Sequence, residues 1–424
     1  MVNGLLTLRG AWDKVRDEPV LKMFAVGVTA YGMATFEGPM LSLKNVNAIA
    51  HFTDWIVAHV HVGALGWNGL LTFAIIYWII PRIYNTQIYS KRLINVHFWL
   101  ATLGILFYAI PMYWSGFTQG LMWKQFTPEG TLLYPEFLKI TIKILPLHML
   151  RSVGGTLYLA GFFVLIYNIV KTIKQGVLVA NEPAEAFAIE KSGLFKKGEF
   201  WHAVLEKKPI TFTVLAILMI VIGGAVEMIP TFTIKSNIPT IASVKPYTPL
   251  ELQGRDIYIR EGCNACHTQW VRPFRSETER YMGEYSKAGE YVYDHPFLWG
   301  SKRTGPDLMR EGGKYPDSWH YYHFMDPKTM SPGSIMPKYN WLSEQDIDLT
   351  TTPKKLKAMK TLGVPYTEYE IDNGNQVLLK QAQLIADNLK KEGVLLDSKK
   401  EMIAIIAYMQ RMGTDIKKGK TAIK

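Results

Sequence analysis

Five segments of the sequence are long and apolar enough to cross a lipid bilayer, and they constrain the fold more than any other feature. They cover residues 22–43, 55–80, 92–116, 145–170 and 211–230. Each is close to the roughly 20 residues that a spanning helix needs. The sequence after about residue 245 is instead charged and punctuated by proline and glycine, which predicts a water-soluble domain.

The charges of the short connections indicate how these helices cross the membrane. Basic residues concentrate between the second and third segments and between the fourth and fifth: Arg82, Lys91, Arg92, Lys171, Lys174, Lys191, Lys196, Lys197, Lys207 and Lys208. By the positive-inside rule, the N-terminus and the 171–210 linker are cytoplasmic. The fifth helix then leads outward, so we expect the domain after it to be extracytoplasmic.

The overall charge and the cysteine count exclude two other classes of protein. The net charge is +11, but no run of lysine and arginine with interleaved aromatic residues is present. We therefore expect contact with membrane lipid and no nucleic acid. Only two cysteines are present, and both lie in one short motif, which excludes a disulfide framework.

The motif that carries chemistry is C-x-x-C-H, formed by Cys263, Cys266 and His267. Its spacing lets two thiols attach to one haem while the adjacent histidine binds the iron. A zinc site would need further cysteines, and a thioredoxin-like pair would need a βαβ pattern. The motif therefore predicts one covalently bound haem c.

The second axial ligand of this haem is expected from a later loop. Met336 lies between Pro332-Gly333 and Pro337, and such a rigid loop can present a thioether to iron. The competing residues are Met282, Met309, Met325, Met330, His295, His320 and His323.

Four further ionisable residues lie within the apolar segments, where a polar side chain is costly and usually has a function. His59 and His61 are two apart, so on a helix they face opposite sides and could bind two haems or act as buried packing residues. Glu37 could hydrogen-bond a ligating imidazole, belong to a proton route, or reach the interface. Arg151 could pair with haem propionates or extend to the head groups. We expect His97 and His148 to be hydrogen-bonded packing residues.

The region from about 195 to 412 resembles the mono-haem cytochrome c subunit, subunit II, of cbb3-type cytochrome c oxidases. The resemblance is carried by KKPITFTVLAILMIVIGGAVEMIP, by GCNACHTQWVRPFRSETERYMGEYSKAGEYVYDHPFLWGSKRTGPDL, by PDSWHYYHFMDP and by PGSIMPKYNWL. Residues 22–175 are similar to the last four helices of the same enzyme's catalytic subunit I.

The resemblance implies a set of roles. His59 matches the proximal ligand of the high-spin haem b, His61 matches a ligand of the low-spin haem b, and Glu37 matches a glutamate that contacts the first of these histidines. The expected fold is mainly α. About five transmembrane helices precede an extracytoplasmic class I-like cytochrome c domain. The expected units are 1–175 from subunit I, a linker 176–208, an anchor 209–232 and the cytochrome domain 233–424.

The implied function is electron transfer from a donor cytochrome through haem c to two haems b, where O2 is reduced to water. The ligands of the copper ion lie on earlier helices of the family's subunit I. We therefore expect the remainder of subunit I, and with it copper, to come from a complementary chain. Further expected partners are a dihaem cytochrome c subunit or a soluble cytochrome c, at a bacterial inner membrane.

Two other functions remain in competition. A stand-alone, membrane-anchored c-type cytochrome would use its N-terminal half only as an anchor or as an oxidase remnant. A nitric oxide reductase would share the paired histidines, but its fused form places the cytochrome-like region before the catalytic helices. The order in this chain disfavours it.

Overall fold

The fold is helical throughout the residues that the computed structural model describes, namely 2–178, 201–234 and 239–421. Within these ranges the chain forms no strand beyond three isolated bridges. The prediction of a mainly α protein is confirmed. Residues 2–178 are called the membrane half below, and residues 239–421 the soluble half.

Five helices are long and apolar enough to span a membrane, as predicted. The first to fifth membrane helices are Pro19–Ser42, Asp54–Ile83, Lys91–Met122, Phe137–Gln175 and Pro209–Thr233. Shorter helices cover Val2–Leu6, Trp12–Asp17, Lys44–Ala50 and Trp201–Glu206. No residue of the fifth membrane helix is buried against another described part of the chain.

The second membrane helix is continuous but not uniform. It runs as an α-helix over Asp54–His61, as a π-helix over Val62–Gly69, and again as an α-helix over Leu70–Ile83. Widened turns of this kind occur often at functional sites. The apolar pattern did not predict this π-helix, because a run of eight mostly apolar or small residues is compatible with an α-helix and with a π-helix.

The fourth membrane helix begins earlier than the predicted start at residue 145. Lys139 and Lys143 lower the mean hydropathy of its first turns, so the apolar pattern excluded them. The backbone is nevertheless helical from Phe137, and Ile140 and Ile144 on these turns are buried. This extension lies at the end of the membrane half that meets the soluble half.

Small residues let the third and fourth membrane helices approach closely. A Cβ placed on Gly154 would lie 2.6 Å from the backbone nitrogen of Tyr108 and 2.7 Å from the carbonyl oxygen of Gly104. Packing through such small residues is a common means of helix association in membranes, where apolar burial gives little driving force.

The soluble half encloses its core between three main helices. These are Pro249–Arg260, Gly374–Lys391 and Glu401–Arg411, and the last is buried along almost its whole length. The first and third cross at Gly254, where a side chain would collide with the carbonyl oxygen of Ala404. The other helices are Cys263–Ala265, Arg275–Arg280, Ala288–Tyr291, Asp317–Met325, Pro327–Met330, Asn340–Ser343, Thr352–Thr361, Glu368–Asp372 and Thr414–Thr421.

The predicted linker, 176–208, falls largely on residues 179–200, which lie outside the described residues.

The close approach of the third and fourth membrane helices gives a direct test. Gly154→Ala should lower the free energy of unfolding by about 1–3 kcal/mol, because the added methyl group must push two backbones apart. Gly155→Ala is the matched control, since nothing lies within 4 Å of a Cβ at that position. Denaturant unfolding in detergent measures both. Equal stability of the two variants would contradict the described helix contact.

Candidate haem sites

The C-x-x-C-H motif forms one compact turn at the end of helix Pro249–Arg260. Gly262 adopts φ +70°, a left-handed conformation that glycine accommodates without strain, and the chain then enters the short turn Cys263–Ala265. The backbone N–H of His267 donates to the carbonyl of Cys263 at 2.9 Å, which closes the turn. The two cysteines form no disulfide, and burial, the largest cause, raises the pKa of Cys263 to about 12.

The surroundings of His267 suit an iron ligand. Its Nδ1 lies 2.8 Å from the carbonyl oxygen of Pro306, so this nitrogen carries the proton and Nε2 keeps its lone pair. Burial lowers the pKa of His267, which favours the neutral ring that a metal binds. A side chain at Gly305 would collide with the imidazole, so glycine leaves the space that the ring occupies. The residues present therefore fit a haem.

Met336 lies in the same part of the soluble half. It is half-buried and packs against the core cluster that also receives Cys263. Its backbone N–H donates to the hydroxyl of Ser334 at 3.2 Å, which shapes the loop. Among the competitors, Met282 is 71% exposed and Met309 belongs to a separate cluster, whereas Met325 packs on the same core as Met336.

Two competing histidines lie on helix Asp317–Met325. Burial, the largest cause in both cases, lowers the pKa of His320 and of His323 to about 4, so both rings are neutral at pH 7. Nε2 of His320 and Nδ1 of His323 are buried and have no hydrogen-bond partner within the described residues. They therefore remain alternatives to Met336.

In the membrane half, His59 is held by Glu37. Nδ1 of His59 lies 3.1 Å from Oε2 of Glu37, the contact that the resemblance implied. The same carboxylate accepts hydrogen bonds from Trp55 Nε1 at 2.5 Å and from Tyr113 Oη at 2.6 Å. This contact leaves Nε2 of His59 available to a metal, and a carboxylate orients the ring through Nδ1, as in many metal sites.

His61 points to the other side of the second membrane helix. Its Nδ1 lies 2.7 Å from the carbonyl oxygen of Val57, and its Nε2 lies 3.1 Å from the hydroxyl of Tyr108, whose ring stacks on the imidazole. An iron bound to Nε2 would require the Tyr108 hydroxyl to move. Arg151 lies nearby, with its guanidinium 5.8 Å from the centre of the Tyr108 ring, and could receive an anionic group there.

The histidines expected to be packing residues make hydrogen bonds. Nδ1 of His97 lies 3.1 Å from the hydroxyl of Tyr77, and Nε2 of His148 lies 2.6 Å from the carboxylate of Asp54. Trp55 precedes His59 by one helical turn, so its place beside Glu37 could have been inferred from spacing. Tyr113 lies on another helix, and no sequence signal connects it with Glu37.

The segment that follows His267 and the loop that precedes His59 lie at the contact between the two halves. The N–H of Arg303 donates to the carbonyl of Phe52 at 2.8 Å, and the ring of Trp270 lies 5.7 Å from that of His51. Trp270 follows His267 by three residues, and Phe52 precedes His59 by seven. A C-x-x-C-H turn on a helical domain, set against membrane helices with paired histidines, characterises a membrane-bound c-type cytochrome.

Comparison with known families agrees with this description. Residues 202–416, about half of the chain, match the family described as cytochrome c oxidase, mono-heme subunit/FixO. Residues 1–157 match cytochrome c and quinol oxidase polypeptide I. The chain belongs to the mono-heme subunit family and carries a subunit I-like region before it. The predictions of a cbb3-type oxidase component with haem and of a multi-pass membrane protein are confirmed. The stand-alone carrier is not favoured.

Individual relatives match the membrane half. The chain is 48% identical over 195 residues to a cytochrome c oxidase subunit 1 homolog of Agrobacterium tumefaciens, covering 44% of this chain and 36% of the relative. It is 46% identical over 182 residues to cytochrome c oxidase subunit 1 of Rhodobacter capsulatus (43% and 34%). It is 42% identical over 186 residues to the cbb3-type subunit CcoN1 of Stutzerimonas stutzeri (44% and 38%). The chain thus spans about a third of the length of these relatives.

The hydrogen bonds of Glu37 generate a second prediction. Glu37→Gln should lower the free energy of unfolding by roughly 2 kcal/mol, because a carboxamide cannot accept from all three donors as a carboxylate does. Glu18→Gln is the control, since the Glu18 side chain is 43% exposed and its one ion pair within the described residues is with the exposed Lys91. Thermal unfolding in detergent measures both. An unaltered stability in Glu37→Gln would show that the carboxylate does not hold these helices together.

Proposed function

We propose that this chain is the electron-entry component of a cbb3-type cytochrome c oxidase. Electrons would pass from a donor cytochrome through one haem c to two haems b, where O2 is reduced to water. The observation that carries the proposal is the contact between the segment following His267 and the loop preceding His59, because it joins two candidate haem-binding regions. Other oxidase subunits would complete the reaction site.

The soluble half would hold haem c through four residues. Cys263 and Cys266 would form the thioether links, while His267 and Met336 would bind the iron. When bound, the haem supplies reversible one-electron transfer. The protein contributes the orientation of His267 through Pro306 and a largely apolar surrounding for the iron.

The membrane half would contribute one ligand to each haem b. His59, oriented by Glu37, would bind the high-spin haem, and His61 would bind the low-spin haem from the opposite side of the helix. Arg151 would neutralise a propionate near His61. Copper ligands would come from the remainder of subunit I.

The charges of the connections support the following arrangement in the cell. The linker 176–208 would be cytoplasmic, the anchor 209–232 would cross the bacterial inner membrane, and the domain 233–424 would lie on the periplasmic side. Residues 1–175 would be the subunit I-like unit. A dihaem cytochrome c subunit or a soluble cytochrome c would deliver the electrons.

The test of this function removes the haem c attachment. The double variant Cys263→Ala/Cys266→Ala should lose the covalent haem stain on denaturing gels, and the assembled oxidase should no longer accept electrons from a cytochrome donor. Haem b, measured by its pyridine spectrum, should remain, because its ligands lie in the membrane half. Undiminished electron entry in a variant without covalent haem would refute the proposal.

The distal ligand can be tested separately. Met336→Ala should lower the reduction potential of haem c, because a thioether ligand favours the ferrous state. Met330→Ala is the matched control: it removes a half-buried methionine six residues earlier in the chain. Spectroelectrochemical titration measures both potentials. If Met330→Ala shifts the potential and Met336→Ala does not, Met330 is the ligand.

A further inference from the structure

Part of the long motif that carried the family resemblance, VRPFRSETER, contains none of the candidate haem ligands. Its arginines reach across to the membrane half. Arg280 donates to the carbonyl oxygens of Trp123 and Pro135, each at 3.0 Å, and also to that of Tyr134. Trp123 caps the C-terminus of the third membrane helix, where the helix dipole favours a cation.

Two further arginines of the motif also donate to backbone carbonyls of the membrane half. Arg275 donates to the carbonyl oxygen of Gly130 at 2.6 Å, and Arg272 donates to that of Ala48 at 3.3 Å. Every acceptor that these arginines reach in the membrane half is a backbone carbonyl, in a connection or near a helix end. The guanidinium presents five donors in a fixed planar fork and therefore suits several carbonyls better than a lysine ammonium, which has three donors on a flexible stem.

Arg303 lies at the centre of the contact. Its side chain is about 1% exposed, stacks 4.6 Å from the centre of the Phe52 ring, and pairs with Glu277 at 3.0 Å. Glu277 also pairs with Arg272 at 2.5 Å. Burial raises the pKa of Glu277, but Arg303 and Arg272 outweigh it and bring the pKa to about 2. The carboxylate therefore remains charged between the two guanidinium groups.

Both candidate ligand loops of haem c rest on adjacent residues of the fourth membrane helix. The hydroxyl of Thr141 donates to the carbonyl oxygen of Thr304, beside Gly305 and His267, at 3.4 Å. On the distal side, a Cβ on Gly333 would lie 3.0 Å from Cδ1 of Ile142. The position of the haem c site relative to the membrane half is thus determined from both sides.

We propose that Arg272, Arg280 and Arg303 are positioning residues that seat the soluble half on the outer connections of the membrane half and thereby set the rate of electron transfer from haem c. The proposal rests on the proposed function. Its partner surface is formed by Ala48, Phe52 and residues 123–135. None of these arginines is a candidate iron ligand. They would affect the rate by fixing the position of the haem c site relative to the membrane half.

Arg280 provides the cleanest variant, because its described hydrogen bonds all go to the membrane half. In the assembled oxidase, Arg280→Met should raise hydrogen exchange of peptides covering 123–135 by about tenfold or more, as expected for the loss of charge-assisted hydrogen bonds. It should also slow the oxidation of haem c by the membrane half. Arg280→Lys should fall between Arg280→Met and the unmodified protein. The covalent haem and its reduction potential should not change.

The control is Arg260→Met. Arg260 is 48% exposed and pairs with Glu401 and Glu261, all within the soluble half. This variant should leave both the exchange of 123–135 and the electron-transfer rate unchanged. Unchanged exchange in Arg280→Met would overturn the docking contact. Faster exchange with an unchanged rate would overturn the positioning role. If the unmodified protein passes no electrons from haem c to the membrane half, the proposed function fails, while the docking contact is still judged by exchange.

Discussion

The contact between Arg303 and Phe52 is the constraint on which the arrangement of the two halves depends. A guanidinium with almost no exposure to water is costly unless it is paired with a charge and hydrogen-bonded. The Arg303 guanidinium pairs with Glu277 at 3.0 Å and donates to the Thr268 hydroxyl at 2.7 Å and to the Trp270 carbonyl at 2.8 Å. Thr268 and Trp270 directly follow the C-x-x-C-H motif. The same arginine therefore fixes the haem c segment inside the soluble half and holds it against the membrane half.

The two candidate haem regions depend on different kinds of contact, one local in the chain and the other between separate helices. The C-x-x-C-H turn is local, because Cys263, Cys266 and His267 lie on one turn, and Pro306 and Gly305 place the His267 ring. The membrane region depends on contacts between helices: Glu37 and His59 lie on the first and second membrane helices, and Tyr113 lies on the third. A single substitution there disturbs three helices, whereas the haem c turn depends mainly on its own backbone.

This difference explains how much the sequence could predict. The spans and the C-x-x-C-H turn were predictable because each is encoded by consecutive residues. The start of the fourth membrane helix was placed too late because Lys139 and Lys143 interrupt the apolar pattern without interrupting the helix. The π-helical turns after His61, the partners Tyr113 and Tyr108, and the arginines that cross to the membrane half escaped prediction. They depend on residues far apart in the chain, and a single sequence does not show which carbonyl a guanidinium will meet.

The loop around Phe52, which contacts Arg303, is stabilised by hydrogen bonds to the membrane helices. Phe52 has φ +69°, an unfavourable conformation for a bulky side chain, so the structure around it must hold it in place. Two residues later, Asp54 accepts hydrogen bonds from Ser115 and His148, each at 2.6 Å, and its backbone N–H donates to Gln119 at 2.7 Å. These partners belong to the third and fourth membrane helices. The second, third and fourth membrane helices are thereby joined by hydrogen bonds next to the loop that contacts the soluble half.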